Sequence, residues 1–163
     1  MSLPEPVARV SRYLAQAGAE ARIEEFSSGT PTAQEAAHAI GCELDQIVKS
    51  LVYVCDERAV LALVPGSRRG DARKVARAAG AELARLASPA VVHEVTGFDV
   101  GGVAPFALLR VERVLADRTL LRFKELWTGA GSDRHMAVIA PSELVRLTEA
   151  AVADLCDDAR RPL

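Results

Sequence analysis

The first chemically loaded feature of the sequence is one ammonium group in an apolar run, Lys49 within Gln46-Ile-Val-Lys-Ser-Leu-Val-Tyr-Val54. Such a group must reach water or find an anionic or carbonyl partner, because burying it unpaired is costly. It reads as a ligand-binding lysine or as an edge-strand lysine that discourages aggregation. A second feature, Thr96-Gly-Phe-Asp-Val-Gly-Gly-Val-Ala-Pro-Phe106, sets three glycines and a proline ahead of an apolar run. Glycines let backbone amides approach a ligand directly, and the proline stiffens the exit, which suits donors preorganised around an oxygen. A third, Gly129-Ala-Gly-Ser-Asp-Arg-His135, is another glycine-rich turn feeding a strand.

Signatures of other chemistries are missing. The sequence has no Gly-x-Ser-x-Gly elbow, no Gly-x4-Gly-Lys-Ser/Thr and no His-Glu-x-x-His. His38, His93 and His135 are scattered, and Cys42, Cys55 and Cys156 are an odd number without a Cys-x-x-Cys pair. No metal, disulfide or cofactor is implied, and the cysteines read as small buried hydrophobes.

The elements that must position these groups follow from periodicity and capping. Pro4 to Gly18 reads as an amphipathic helix and Ile23 to Phe26 as a short strand. Thr32-Ala-Gln-Glu35 has capping-box spacing, so Thr32 to Ile40 is a helix stopped by Gly41. Another helical turn spans Leu44 to Val48. Ser50 to Cys55 and Ala59 to Val64 form a hairpin about the polar turn Asp56-Glu-Arg58. Asp71 opens a helix ending at Gly80, and Ser88-Pro89 opens another to Val95. Phe106 to Val111, Arg113 to Leu115, Thr119 to Phe123 and Met136 to Ala140 are expected strands, and Pro141-Ser-Glu opens a last helix. With 163 residues, half of them apolar, and no visible linker, this is one mixed α/β or α+β domain over residues 1–163.

Twenty Lys and Arg against twenty-two Asp and Glu give a net charge of −2. That excludes a histone-like coat for DNA, whose binding needs excess cations. A local patch remains: residues 68–85 hold six basic and two acidic groups, with Arg68, Arg69 and Arg73 as candidate RNA-backbone contacts or a solvated face. No segment reaches about 18 uninterrupted apolar residues, and the N-terminus does not read as a signal peptide, so a cytoplasmic, non-membrane protein is expected.

Taken in order, the Thr32 helix, Ile47-Val-Lys-Ser-Leu-Val52, Val64-Pro-Gly66, Leu86-Ala-Ser-Pro89, Thr96-Gly-Phe98, Gly101-Gly-Val-Ala-Pro-Phe106, Gly129 to Gly131 and the closing Pro-Ser-Glu-Leu helix resemble the YbaK family. That family includes the editing domain of bacterial prolyl-tRNA synthetases and free-standing trans-editing proteins. The resemblance covers roughly residues 8–147 and implies a central mixed, mostly antiparallel sheet flanked by helices. It also implies hydrolysis of the ester on a mischarged tRNA, tRNA(Pro) carrying Ala or Cys, by a free-standing member with no cofactor. A prolyl-tRNA synthetase is a further candidate partner.

By the same resemblance Lys49 is essential and contacts the terminal nucleotide or the acyl group. Gly101 and Gly102 lie in the loop that shapes the acyl pocket and presents amides. Ser50, Pro105, Phe106, Gly129, Gly131 and His135 are the expected substrate-contacting positions. Two departures bear on substrate choice: Ser50 replaces the asparagine of some alanine-editing members, and Ala107 stands where many have glycine. The alternative is a noncatalytic nucleotide- or tRNA-binding module of the same fold.

Overall fold

The structure, a computed structural model, describes residues 2–158. Five α-helices and eight strands are defined among them: α1 Glu5–Gln16, β1 Ala21–Glu25, α2 Ala33–Ile40, β2 Val48–Cys55, β3 Arg58–Pro65, α3 Ala72–Ala79, β4 Ala84–Leu86, α4 Pro89–Thr96, β5 Arg113–Asp117, β6 Leu126–Ser132, β7 His135–Ile139, α5 Pro141–Thr148 and β8 Ala151–Ala153. The mixed α/β class of the sequence reading holds, with the strands divided between two sheets. One is antiparallel in the order β1-β7-β6; the other runs β4-β2-β3-β5-β8, with β5 parallel to both β3 and β8.

Local sequence explains the helix limits. The Thr32 hydroxyl accepts from Glu35 N–H at the start of α2, the Asp71 carboxylate from Arg73 and Lys74 N–H at α3, and the Ser88 hydroxyl from Val91 N–H at α4. Gly41, Gly80 and Gly97 close these helices in the left-handed conformation. The β2–β3 hairpin turns on Asp56 and Glu57, both at positive φ, which matches the twist of the flanking strands.

β3 lies between β2 and β5, and its two faces feed two cores. Leu61 and Leu63 join α1, Phe98, Phe106 and residues of the three-stranded sheet in the main core. Val60, Ala62 and Val64 join Tyr53, Cys55, Val75 and Ala79 beneath α3. Residues 154–158 strap this second core. Lys74 Nζ donates to Asp154, Asp158 and the Cys156 carbonyl, and Arg68 donates to the Asp157 carbonyl. Cys55 and Cys156 are buried free thiols, and burial pushes Cys156 up to about 12.

Several expected elements differ. The run from Phe106 to Val111 forms no strand: Ala107 sits at φ +57, outside extended geometry, while Phe106 plunges into the core and stacks on Tyr13 at 5.9 Å. A glycine would adopt that φ without cost. Thr119 to Phe123 is not a strand either but the end of a 3-10 turn over Arg118–Arg122, because Asp117 accepts from both the backbone and the hydroxyl of Thr119. The helical turn after Gly41 stops at Gln46, so Val48 and Lys49 are already strand. β4, β6 and β8 had no counterpart in the sequence reading. β6 is masked by Gly129 and Gly131, which interrupt its alternation.

Gly131 is where α1 touches the three-stranded sheet. Its φ is +109, and an added Cβ would lie 2.8 Å from the Pro6 carbonyl group and Val7 N. Gly131→Ala is therefore expected to destabilise the fold by more than about 1–3 kcal/mol, the cost of the backbone conformation alone, seen as a lowered denaturation midpoint. An unchanged midpoint would contradict this packing.

Candidate functional site

The two sheets meet at one parallel bridge, Ile47 with Trp127. Beyond it β2 and β6 do not pair with each other. β4 pairs only with Tyr53 to Cys55, so Val48 to Leu51 have β3 on one side and no strand on the other. A cavity of about 320 Å³ opens along this unpaired edge. Its walls come from β2, the loop before α2, the loop after α4 and the β6–β7 hairpin. Leu86 and Val100, 61% and 63% exposed, form an apolar lip.

Lys49, Ser50, Gly101, Gly129 and His135 all line this cavity. Lys49 is half-buried, and its Nζ donates to the Arg68 carbonyl. Burial holds its ammonium pKa below the usual lysine value, with nearby Arg69 pushing the same way and Cys156 and Asp45 opposing. Ser50 faces the main core beside Val48 and Val52, and its Oγ is buried with no hydrogen-bond partner among the described residues.

Gly102 and Gly131 lie behind the wall. Gly102 N–H is spent on the Asp99 carbonyl at 2.9 Å, and its own carbonyl accepts from Gly131 N–H at 2.9 Å. A Cβ on Gly102 would come within 2.9 Å of Ser132 Cα and N, and one on Gly129 would overlap the Val103 carbonyl oxygen. The two glycine-rich segments thus dock backbone to backbone, which only glycine permits. Pro105 and Phe106 do not line this cavity; they border a groove beside Tyr13 and Leu147. Arg69 and Arg73 are exposed, whereas Arg68 is half-buried and holds the C-terminal strap.

The sequence reading did not single out Thr30 or Val92, and it quoted Ser132 only as part of a turn. Thr30 N–H and Oγ1 both donate to the Asp133 carbonyl, so the loop before α2 carries the hairpin tip. That long-range contact has no local signal. Two further contacts brace the loop after α4: Arg9 donates to the Thr96 carbonyl at 2.7 Å and lies 4.2 Å over the Phe98 ring. No group of three or more potential metal ligands occurs among the described residues.

A lysine and two glycine-rich segments meeting where a three-stranded and a five-stranded sheet part define a YbaK-like α/β domain. The chain belongs to the aminoacyl-tRNA editing domain family, whose model matches residues 27–147. It is 40% identical to a solved structure of a protein proposed to be a trans-editing enzyme for prolyl-tRNA synthetase, covering 96% of this chain and 99% of that one at a TM-score of 0.89. YwhH of Bacillus subtilis (strain 168) is 32% identical over 91% of this chain and 96% of its own length. The proline–tRNA ligase of Maridesulfovibrio salexigens is 35% identical over 116 residues, 70% of this chain and 20% of the ligase. The chain therefore spans about a fifth of that ligase.

Gly102→Val should push the loop off the hairpin and narrow the cavity. The expected outcome is a lowered denaturation midpoint together with amide NMR shift changes centred on the loop after α4 and the β6–β7 hairpin. An unchanged midpoint and spectrum would contradict this docking.

Proposed function

We infer that the chain is a trans-acting deacylase that hydrolyses the ester between a mischarged amino acid and the 3′ end of tRNA, with tRNA(Pro) carrying Ala or Cys as substrate. The observation that carries this reading is the cavity along the unpaired edge of β2, in a chain of the editing family. It combines one ammonium, an orphaned hydroxyl, a glycine wall and an apolar lip.

An aminoacyl ester is already activated. Preorganised donors around the developing oxyanion, each worth about 10²- to 10³-fold, can carry much of the acceleration. Among the described residues Lys49 donates to one backbone carbonyl, a partner it exchanges at little cost for a phosphate or an ester oxygen. A bound substrate group would supply the partner that Ser50 lacks, recovering part of the cost of an unsatisfied buried hydroxyl.

Recognition of the tRNA itself is assigned to the exposed face carrying Arg69 and Arg73, with Arg68 anchoring the segment from which they project. A chain of net charge −2 neutralises few phosphates, so binding should be weak and salt-sensitive. A prolyl-tRNA synthetase would supply affinity the chain lacks. Among the described residues no helix is long and apolar enough to cross a membrane; a cytoplasmic setting fits the substrate.

Two variants test the reading against Ala-tRNA(Pro) and Cys-tRNA(Pro). Lys49→Ala is expected to abolish deacylation at a cost in stability of about 1 kcal/mol, the worth of one hydrogen bond. Near-normal turnover by that variant would remove Lys49 from the chemistry, and binding without turnover by the unaltered protein would favour the noncatalytic module. The pair Arg69→Gln and Arg73→Gln should raise the substrate concentration needed and flatten the salt dependence while leaving the saturated rate nearly intact. Unchanged salt dependence would make this face merely solvated.

A further inference from the structure

We propose that Glu25, His135 and Ser132 form a proton relay that activates the attacking water, a proposal that rests on the ester-hydrolysis reading above. The register of the three-stranded sheet puts them in one row. Glu25 is the cross-strand partner of His135 in the β1–β7 pair, and His135 is the partner of Ser132 in the β6–β7 pair. Directly opposed residues project from the same face of a sheet. Carboxylate, imidazole and hydroxyl therefore line up across three strands.

The distances fit a relay. Ser132 Oγ lies 2.7 Å from His135 Nδ1, and Glu25 Oε1 lies 4.0 Å from Nε2. The 4.0 Å separation is an ion-pair distance and not a hydrogen bond; the relay takes the tautomer in which Nδ1 accepts and the serine hydroxyl donates. Ser132 and His135 both line the cavity beside β2, while His135 and Glu25 border a second depression open to solvent. His135 is 4% exposed, at a position where an aliphatic side chain would satisfy the sheet at no desolvation cost. The hairpin turn needs only the bond from Arg134 N–H to Ser132 Oγ, 3.0 Å. Neither feature calls for an imidazole.

Ser132 is a relay rather than a nucleophile. Its oxygen accepts from the Arg134 amide and donates to His135, so it is fixed in place with one lone pair left to accept a proton from water. As a water oxygen bonds to the ester carbonyl carbon, a water proton passes to Ser132 Oγ and the serine proton passes to Nδ1. Glu25 offsets the imidazolium charge. Collapse of the tetrahedral intermediate breaks the bond between the carbonyl carbon and the ribose oxygen, which takes the proton back along the same path. Free amino acid and a tRNA 3′-terminal hydroxyl are the products, and the relay ends as it began.

The test is single-turnover hydrolysis of Ala-tRNA(Pro) and Cys-tRNA(Pro) by the full chain at saturating enzyme. Ser132→Ala and His135→Ala should each lower the rate about 10²-fold, the usual worth of a positioned acid–base group, with tRNA affinity nearly unchanged. Added imidazole should restore part of the rate to His135→Ala but not to the double variant, a rescue that loss of a structural histidine would not show. Glu25→Gln should cost no more than about fivefold, since the carboxylate is exposed. A folded Ser132→Ala protein with a near-normal rate overturns the relay, even where His135→Ala fails to fold. So does a His135→Gln protein that keeps full activity. Cleavage by the unaltered protein with neither effect removes the relay alone; no cleavage of either ester removes the deacylase reading and the relay with it.

Discussion

The backbone-to-backbone contact between two glycine-rich segments is the constraint on which the site depends. Gly102 carbonyl accepts from Gly131 N–H, Gly129 lies against the Val103 carbonyl, and Gly131 itself lies against the first turn of α1. A side chain at any of the three would separate the layers. Because they touch, the loop after α4 becomes a wall, and the hairpin that bears Ser132 and His135 is held at a fixed distance from β2. The hydrogen bond at this contact is worth about 1 kcal/mol by itself. Its larger effect is geometric, since a shift of one ångström can undo a catalytic arrangement.

The opposite wall depends on a strand edge left open on purpose. An unpaired edge invites pairing with other chains unless it is short, charged or covered. Here β4 covers Tyr53 to Cys55, the Ile47 bridge closes the other end, and Lys49 sits in the gap. The two meanings that the sequence allowed for Lys49, edge guard and ligand group, are therefore compatible in one residue. Its tether, the Arg68 carbonyl, is in turn held by residues 154–158, which Lys74 and Arg68 clamp to α3. A C-terminal segment with no place in the cavity thus fixes the end of the lysine that reaches toward it.

Much of this frame was legible from local sequence where one residue makes one local bond. Asp71 and Ser88 cap helices as expected, Thr32 does so through its hydroxyl alone because the Glu35 carboxylate turns to that hydroxyl and not to the backbone, and the polar turn at Asp56 closes the expected hairpin. The failures share one cause, a decision made by distant contacts. Phe106 to Val111 is apolar enough for a strand, yet Phe106 is drawn onto Tyr13 and the chain turns at Ala107. β6 carries glycines that argue against a strand, and α1 and the opposing loop require them there. The site divides in the same way. Lys49 stood out by type and position and His135 entered only through the family resemblance, while the row Glu25-His135-Ser132 exists only through a register spanning 110 residues of sequence. Pro105 and Phe106, quoted with their motif, brace the loop from the core side.

The central claim is that the cavity beside β2 receives the aminoacyl end of a tRNA. Its most direct test is backbone amide NMR of the unaltered chain titrated with a non-hydrolysable analogue, 3′-deoxy-3′-(alanylamino)adenosine. The account predicts saturable shifts concentrated at Lys49, Ser50, Gly101, Gly129, Ser132 and His135, with the α3 face left unmoved by so short a ligand. Shifts confined to other surfaces, or none at concentrations where the intact charged tRNA binds, would contradict it.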